Sequence, residues 1–309
     1  TNISLILILC LLLGACKNGN ASSQSKSETP QDTIKAIKMP AIPQMMTAPE
    51  QRADFLAKHY WDNVNFADTN YIHHPEVTEQ AWADYCDLLN HVPLETAQQA
   101  MRNVIDRTNV DKKVFTYITD LADKYLYDPN SPMRNEEFYI PVLEAMIASP
   151  VLNETEKIRP QARLKLAQKN RIGTKALNFT YTLASGAQGS LYQLKAEYLL
   201  LFINNPGCQA CTETIEGLKN APIINQLLQE KKLVLLSIYP DEELDEWKKH
   251  LSEFPNEWIN GYDKKFTIKE EQVYDLKAIP TLYLLDKDKT VLLKDATAPA
   301  IEAYLMQHQ

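Results

Sequence analysis

The sequence predicts an all-α half followed by an α/β half, and three observations carry that reading. Apolar residues recur at helical spacing from about residue 49 to 168. The period then changes near residues 165–175. Beyond that point three unbroken apolar runs (198–203, 233–238 and 281–285) alternate with stretches of helical pattern, as in an α/β arrangement with buried strands.

With 309 residues the chain has length for about two domains. Hydrophobic residues at 45% and charged residues at 23% are ordinary globular values, so each half can bury a core. The net charge of −8 excludes the basic field that a general nucleic-acid partner requires. No P-loop or dinucleotide-binding glycine fingerprint is present, and glycine is scarce at 8 residues.

The chain opens on an apolar run, residues 3–13. It is too short to span a bilayer, which takes about 20 residues, and suits the core of a signal peptide. It ends in Leu13-Gly14-Ala15-Cys16, followed by a polar Asn/Ser/Gln/Lys stretch. This segment resembles a bacterial lipobox, which implies that Cys16 is lipidated and becomes the mature N-terminus. Residues 1–15 are then a signal peptide, clipped at its start because it carries neither Met nor a basic residue ahead of Cys16. The expectation is a protein held by lipid at the cell envelope and facing the periplasm, where disulfides persist. Residues 16–48, Ser-rich and then punctuated by Pro40 and Pro43, read as a linker.

The helical domain is expected over 49–168. Thr47-Ala48-Pro49-Glu50 has the form of a capping box, ahead of Ala53, Leu56, Ala57 and Tyr60 at helical spacing. Thr78 is placed to cap a second helix with Trp82, Tyr85, Cys86 and Leu89 on one face. Pro93 stands where a third begins, before Ala97, Met101 and Val104. Val114, Ile118, Leu121, Ala122 and Tyr125 form a fourth stripe, closed by the loop Asp128-Pro129-Asn130-Ser131-Pro132. Phe138, Val142 and Met146, then Ile158, Ala162 and Leu166, predict two more.

From residue 169 to 309 the pattern is α/β. Phe179, Tyr181 and Leu183 alternate up to a turn at Ser185-Gly186, as in a hairpin. Helical stretches at 211–218, 223–228 and 241–254 separate the three apolar runs. Cys208-Gln209-Ala210-Cys211 follows the first run and the loop Asn204-Asn205-Pro206-Gly207, and it opens a helix. A cysteine at a helix N-terminus meets the positive end of the dipole and unpaired N–H groups, which stabilise a thiolate. The thiolate attacks a disulfide, and a second cysteine one turn on can resolve the mixed disulfide. Zinc would need two further ligands, and only His250 and His308 occur in this half, far apart. A structural disulfide would close too small a loop to stabilise much. Thiol–disulfide exchange is the reading that suits the pair best.

Lys277-Ala278-Ile279-Pro280-Thr281 stands just before the third apolar run. With these motifs, residues from about 172 to 309 resemble the thioredoxin-like family of the TlpA/ResA type, in its lipoprotein subgroup with an uncharacterised helical domain in front. The resemblance implies a thioredoxin-like fold and thiol–disulfide oxidoreductase activity without a cofactor or metal. It implies that Cys208 and Cys211 are catalytic, and that Pro280 is a cis-proline which, with Ile279, pairs with the incoming substrate chain. Partners would be disulfide-containing or dithiol proteins and a redox partner. Three features depart from the family. Gly207 replaces a Trp, Gln-Ala separates the cysteines, and Phe202 and Ile203 stand where a proton-transfer acid is common, with Glu197 at the start of that strand. Reductase, oxidase and isomerase chemistries all fit this pattern, and so does a non-catalytic binding or scaffold lipoprotein that keeps the fold.

Other signals have plainer readings. His59, His73, His74 and His91 are read as solvated or hydrogen-bonded rather than metal-bound, and Cys86 as an inert buried thiol. Tyr60 and Trp61 are read as helical core rather than a peptide groove.

Overall fold

A computed structural model describes residues 36–308. The signal-peptide run and the lipobox cysteine Cys16 lie outside the described residues. Among the described residues no helix is long and apolar enough to cross a membrane.

Six α-helices build the first half: α1 Pro49–His59, α2 Pro75–Leu89, α3 Leu94–Arg107, α4 Lys112–Ala122, α5 Glu136–Ala148 and α6 Glu154–Ala167. Their starts follow capping chemistry. The side chain of Asp111 accepts from the Lys113 and Val114 N–H groups at α4, and Asn135 does the same for Glu137 and Phe138 at α5. Asn153 and Glu156 form a reciprocal capping box at α6. A π-helical turn, Asp123–Tyr127, continues α4 and leads into the predicted 128–132 loop. The core joins Trp82, Tyr85, Met101, Ile105, Phe115 and Leu143, all fully buried. Tyr60, Trp61 and Cys86 sit in the same core, and burial pushes the Cys86 thiol well above its ordinary range.

Three local expectations differ from the structure. Thr47 does not cap α1; Ala48 holds the cap position without a side-chain bond, and Pro49 at the first helical position starts the helix. Thr78 lies inside the first turn of α2, buried, and its hydroxyl donates to the Tyr71 carbonyl at 2.7 Å. On α6 the stripe Ile158, Ala162, Leu166 does not face the core: Ile158 is exposed, and Pro160 and Ala167 are buried instead. That helix spends part of its inner face on Arg163, whose guanidinium reaches Asp123 at 2.6 Å.

The second half is one seven-stranded sheet. Its strands are β1 Thr180–Leu183, β2 Gln188–Ser190, β3 Tyr198–Ile203, β4 Leu233–Tyr239, β5 Ile259–Tyr262, β6 Thr281–Asp286 and β7 Val291–Lys294, in the order β2-β1-β5-β4-β3-β6-β7. Strands β3, β4 and β5 run parallel, and β6 pairs antiparallel to β3. The apolar run of β3 is continuous because both its faces are covered. Leu200 and Phe202 meet α7 Gln209–Lys219, α8 Pro222–Gln229 and α10 Ala298–Gln307, through Ile215, Leu218, Ile224 and Ile301. Leu199, Leu201 and Ile203 meet Phe179, Leu191, Ile268 and Tyr274 on the other side. The acidic stretch expected to begin a long helix at 241 is mostly loop; only the short α9, Leu244–Lys249, and a 3₁₀ turn at Leu251–Glu253 form there.

A buried cluster of charges joins the halves. The Glu136 carboxylate, at the first position of α5, contacts Lys277 Nζ at 2.5 Å and pairs with Lys294 at the end of β7. Asp275 and Asp295 complete the cluster at 3.3 and 3.6 Å from Lys277. The Lys277 side chain is only 5% exposed. Burial alone would lower its ammonium pKa, but the three carboxylates outweigh that and hold it above the usual lysine value. Breaking such a buried pair from one side costs about 3–5 kcal/mol, because the surviving charge is left uncompensated. Nearby, Arg171 bonds Glu137 with Nε–Oε1 at 3.0 Å, and Lys294 also donates to the Lys169 carbonyl at 2.7 Å.

Leu200, fully buried at the centre of the sheet, is a sensitive point for this packing. Leu200→Ala is expected to destabilise the protein by about 2–5 kcal/mol, read as a lower urea midpoint with an unchanged slope.

Candidate active site

Strand β3 and helix α7 set the site. The chain leaves the sheet at Ile203, turns through residues 204–207 and enters α7 with Cys208 as the cap residue. Where most helices place a serine or aspartate oxygen, this one places sulfur: Cys208 Sγ accepts from the Cys211 N–H at 3.3 Å. That N–H meets any negative charge that forms on this sulfur. Gly207, immediately before it, has φ +74°, and a Cβ there would touch nothing within 4 Å. A side chain at 207 would therefore strain the backbone without gaining packing. This accounts for glycine at position 207.

The two sulfurs differ in access. Cys208 is half-exposed, whereas Cys211 is buried one turn behind it. Burial pushes the Cys211 thiol up to about 12, although the Asn205 N–H, donating to its Sγ at 3.5 Å, opposes the rise. The side chain of Asn205 donates in turn to Asp241 Oδ2 at 2.8 Å, and Asp241 also holds Lys269 at 2.7 Å. Asn204 is buried beside them and donates to the Ser237 hydroxyl at 2.7 Å. An acid thus stands two bonds away from the buried thiol, in the loop after β4 rather than within β3.

The segment Lys277-Ala278-Ile279-Pro280 comes from the far side of the sheet and ends at β6. Its Ile279–Pro280 bond is cis. The Cys208 thiol donates to the Ile279 carbonyl at 3.7 Å. Four of the residues singled out from sequence (Cys208, Cys211, Ile279 and Pro280) therefore converge, while Cys16 is outside the described residues. A groove of about 480 Å³ runs alongside. One wall is Ala210, Glu213 and Thr214 of α7 with Ile279 and Pro280. The helical half supplies the opposite rim through the 129–134 loop, where Asn130 and Arg134 line it. Arg134 is anchored across the junction by donating to the Asp295 carbonyl at 2.6 Å.

The Asn205–Asp241 link and the contribution of residues 129–134 were not readable from sequence. Isolated Asn and Asp residues in loops carry no spacing signal, and the 128–132 stretch reads only as a turn. Among the described residues no group of three His, Cys, Asp or Glu side chains is placed to hold a metal. His59 bonds Asp62 at 2.7 Å and His74 bonds Glu76 at 3.1 Å.

Two family models match the chain. Residues 15–170 match a family model described as a domain of unknown function, DUF5106, and residues 196–291 match one described as thioredoxin-like. A crystal structure of a thioredoxin-like protein from Bacteroides caccae is 84% identical, with a TM-score of 0.87. The match covers 90% of this chain and all of that one. The C-terminal domain of an uncharacterized protein from Bacteroides fragilis is 69% identical over 44% of this chain and 98% of its own, with a TM-score of 0.44. No curated protein matches. A helical domain of the DUF5106 type thus precedes the thioredoxin-like sheet, and the chain belongs to the thioredoxin-like family.

Proposed function

We propose that this protein is an exported thiol–disulfide oxidoreductase, held at the cell envelope by lipid on Cys16 and facing the periplasm. The observation that carries the reading is the placement of Cys208. It is half-exposed at the α7 N-terminus, has the Ile279 carbonyl at 3.7 Å on one side, and has the buried Cys211 thiol one turn behind. Membership of the thioredoxin-like family supports it.

The reaction needs no group beyond the two sulfurs. The Cys208 thiolate attacks one sulfur of a substrate disulfide. A bond forms between them, and the other substrate sulfur leaves as a thiolate that takes up a proton. Cys211 then gives up its proton and attacks Cys208 Sγ, which releases the second substrate thiol and leaves a Cys208–Cys211 disulfide. Two electrons have passed from the pair to the substrate; the same steps in reverse oxidise a dithiol. Substrates are protein or small-molecule disulfides or dithiols, and a redox partner restores the starting state. Ile279 and Pro280 form the platform against which a substrate chain lies, and Asn205 offers an N–H to the charge that develops on Cys211.

Cys211→Ser is expected to accumulate a mixed disulfide on Cys208, visible by mass spectrometry and reversed by dithiothreitol. Failure to trap any species, together with loss of neither rate nor yield in Cys208→Ser, would favour a non-catalytic binding lipoprotein. Labelling of the protein by a palmitate analogue in the expressing cell, lost in Cys16→Ser, tests the anchor, and an unlabelled Cys16 removes it.

The pH dependence of resolution follows from the burial of Cys211. Its thiol, raised to about 12, is almost wholly protonated at neutral pH, and only the thiolate attacks. The rate of mixed-disulfide resolution should therefore rise about tenfold per pH unit from roughly pH 6 to 9 without a plateau, measured by rapid acid quench. A plateau below pH 9 would mean that the Cys211 thiol ionises more readily in the mixed disulfide than its burial implies.

A further inference from the structure

The segment that carries Ile279 and Pro280 is held from outside its own domain. Lys277 lies two residues before Ile279, and its side chain is only 5% exposed. Its ammonium meets Glu136 of the helical domain at 2.5 Å and stands 5.1 Å from the centre of the Tyr127 ring. That ring also takes the Arg163 guanidinium at 4.1 Å, and Arg163 is locked by Asp123 at 2.6 Å. The chain of contacts from Asp123 through Arg163, Tyr127 and Lys277 thus ends two residues short of the carbonyl that Cys208 touches. Asp275 and Asp295 hold Lys277 from the sheet side.

We infer that Glu136 and Tyr127 are positioning residues of the exchange reaction: through Lys277 they fix the Ile279–Pro280 segment against Cys208, so that the helical domain is part of the active site. The inference rests on the thiol–disulfide reading above and gives the helical domain a task in it. A polypeptide substrate must lie along the Ile279–Pro280 segment to present its disulfide, so its rate depends on where that segment stands. A small aromatic disulfide needs only the Cys208 sulfur. The two substrates therefore separate positioning from thiol reactivity.

The test uses the full chain, reduced, with three substitutions: Glu136→Gln, Tyr127→Leu and, as a control on the same interface, Arg171→Gln. Arg171 pairs with Glu137 rather than with Lys277. Glu136→Gln and Tyr127→Leu should each lower the rate with a disulfide-linked unfolded polypeptide by at least roughly tenfold. The rate with 5,5′-dithiobis(2-nitrobenzoate) should stay within about twofold, since the sulfur itself is untouched. Hydrogen exchange at the amides of residues 277–281 should quicken in both variants, and Arg171→Gln should change none of these readings. Unaltered exchange at 277–281 in both variants overturns the inference, as does an equal loss in Arg171→Gln. If the unsubstituted protein reduces neither substrate, the oxidoreductase reading fails instead, while the amide exchange still decides whether the helical domain positions the segment. Tyr127→Leu removes no charge from the cluster, so it keeps the test open should Glu136→Gln fail to fold.

Discussion

Glu136 occupies the first turn of α5, where the helix dipole favours a carboxylate and the Asn135 cap fixes the backbone. Its side chain, however, is committed to the neighbouring domain. It bridges Lys277, ahead of the cis-proline, and Lys294, at the end of β7. Two buried ammonium groups converging on one carboxylate tolerate little displacement, because any shift that parts them leaves the buried Glu136 carboxylate short of counter-charge. The relative setting of helical bundle and sheet follows from that constraint, reinforced by Arg134 beside it. So does the rim that residues 129–134 contribute to the groove.

Within the sheet domain the same economy of position recurs. Strand β3 is buried on both faces, so its register with β4 and β6 is set by packing, and the point where it ends is fixed. The sulfur of Cys208 then serves both as helix cap and as the more accessible of the two thiols. Cys211 follows from helical geometry, since one turn brings it behind Cys208 and under the loop at Asn205. The difference in access between the two thiols is a result of where the helix starts.

Much of this was legible in the sequence. The Cys208–Cys211 spacing, the apolar run before it and Pro280 before another run were readable because each depends on local pattern. The thioredoxin-like sheet and the helical domain ahead of it were legible for the same reason. What escaped was set by tertiary packing. Strands β5 and β7 are only 4 residues each, and α10 begins at Ala-Pro-Ala, so none carried a clear period. The α6 stripe misled because Arg163 competes for its inner face. The interface charges were invisible in principle: Glu136, Lys277 and Lys294 lie far apart in the chain, and a lone charge beside a turn reads as solvated.

Strand β7 also ends the sheet, and a sheet edge offers unpaired backbone groups to any passing strand. Here that edge is occupied. Residues 173–175 run beside it, with the Gly173 N–H donating to the Val291 carbonyl at 2.8 Å and the Val291 N–H donating to the Thr174 carbonyl at 2.9 Å. Lys294 closes it by pointing inward to Glu136 and to the Ala167 and Lys169 carbonyls. The connection between the two domains is thus also a plug against strand addition. Under the proposed function the protein meets unfolded, cysteine-bearing chains, and this edge of its sheet is closed to pairing with them.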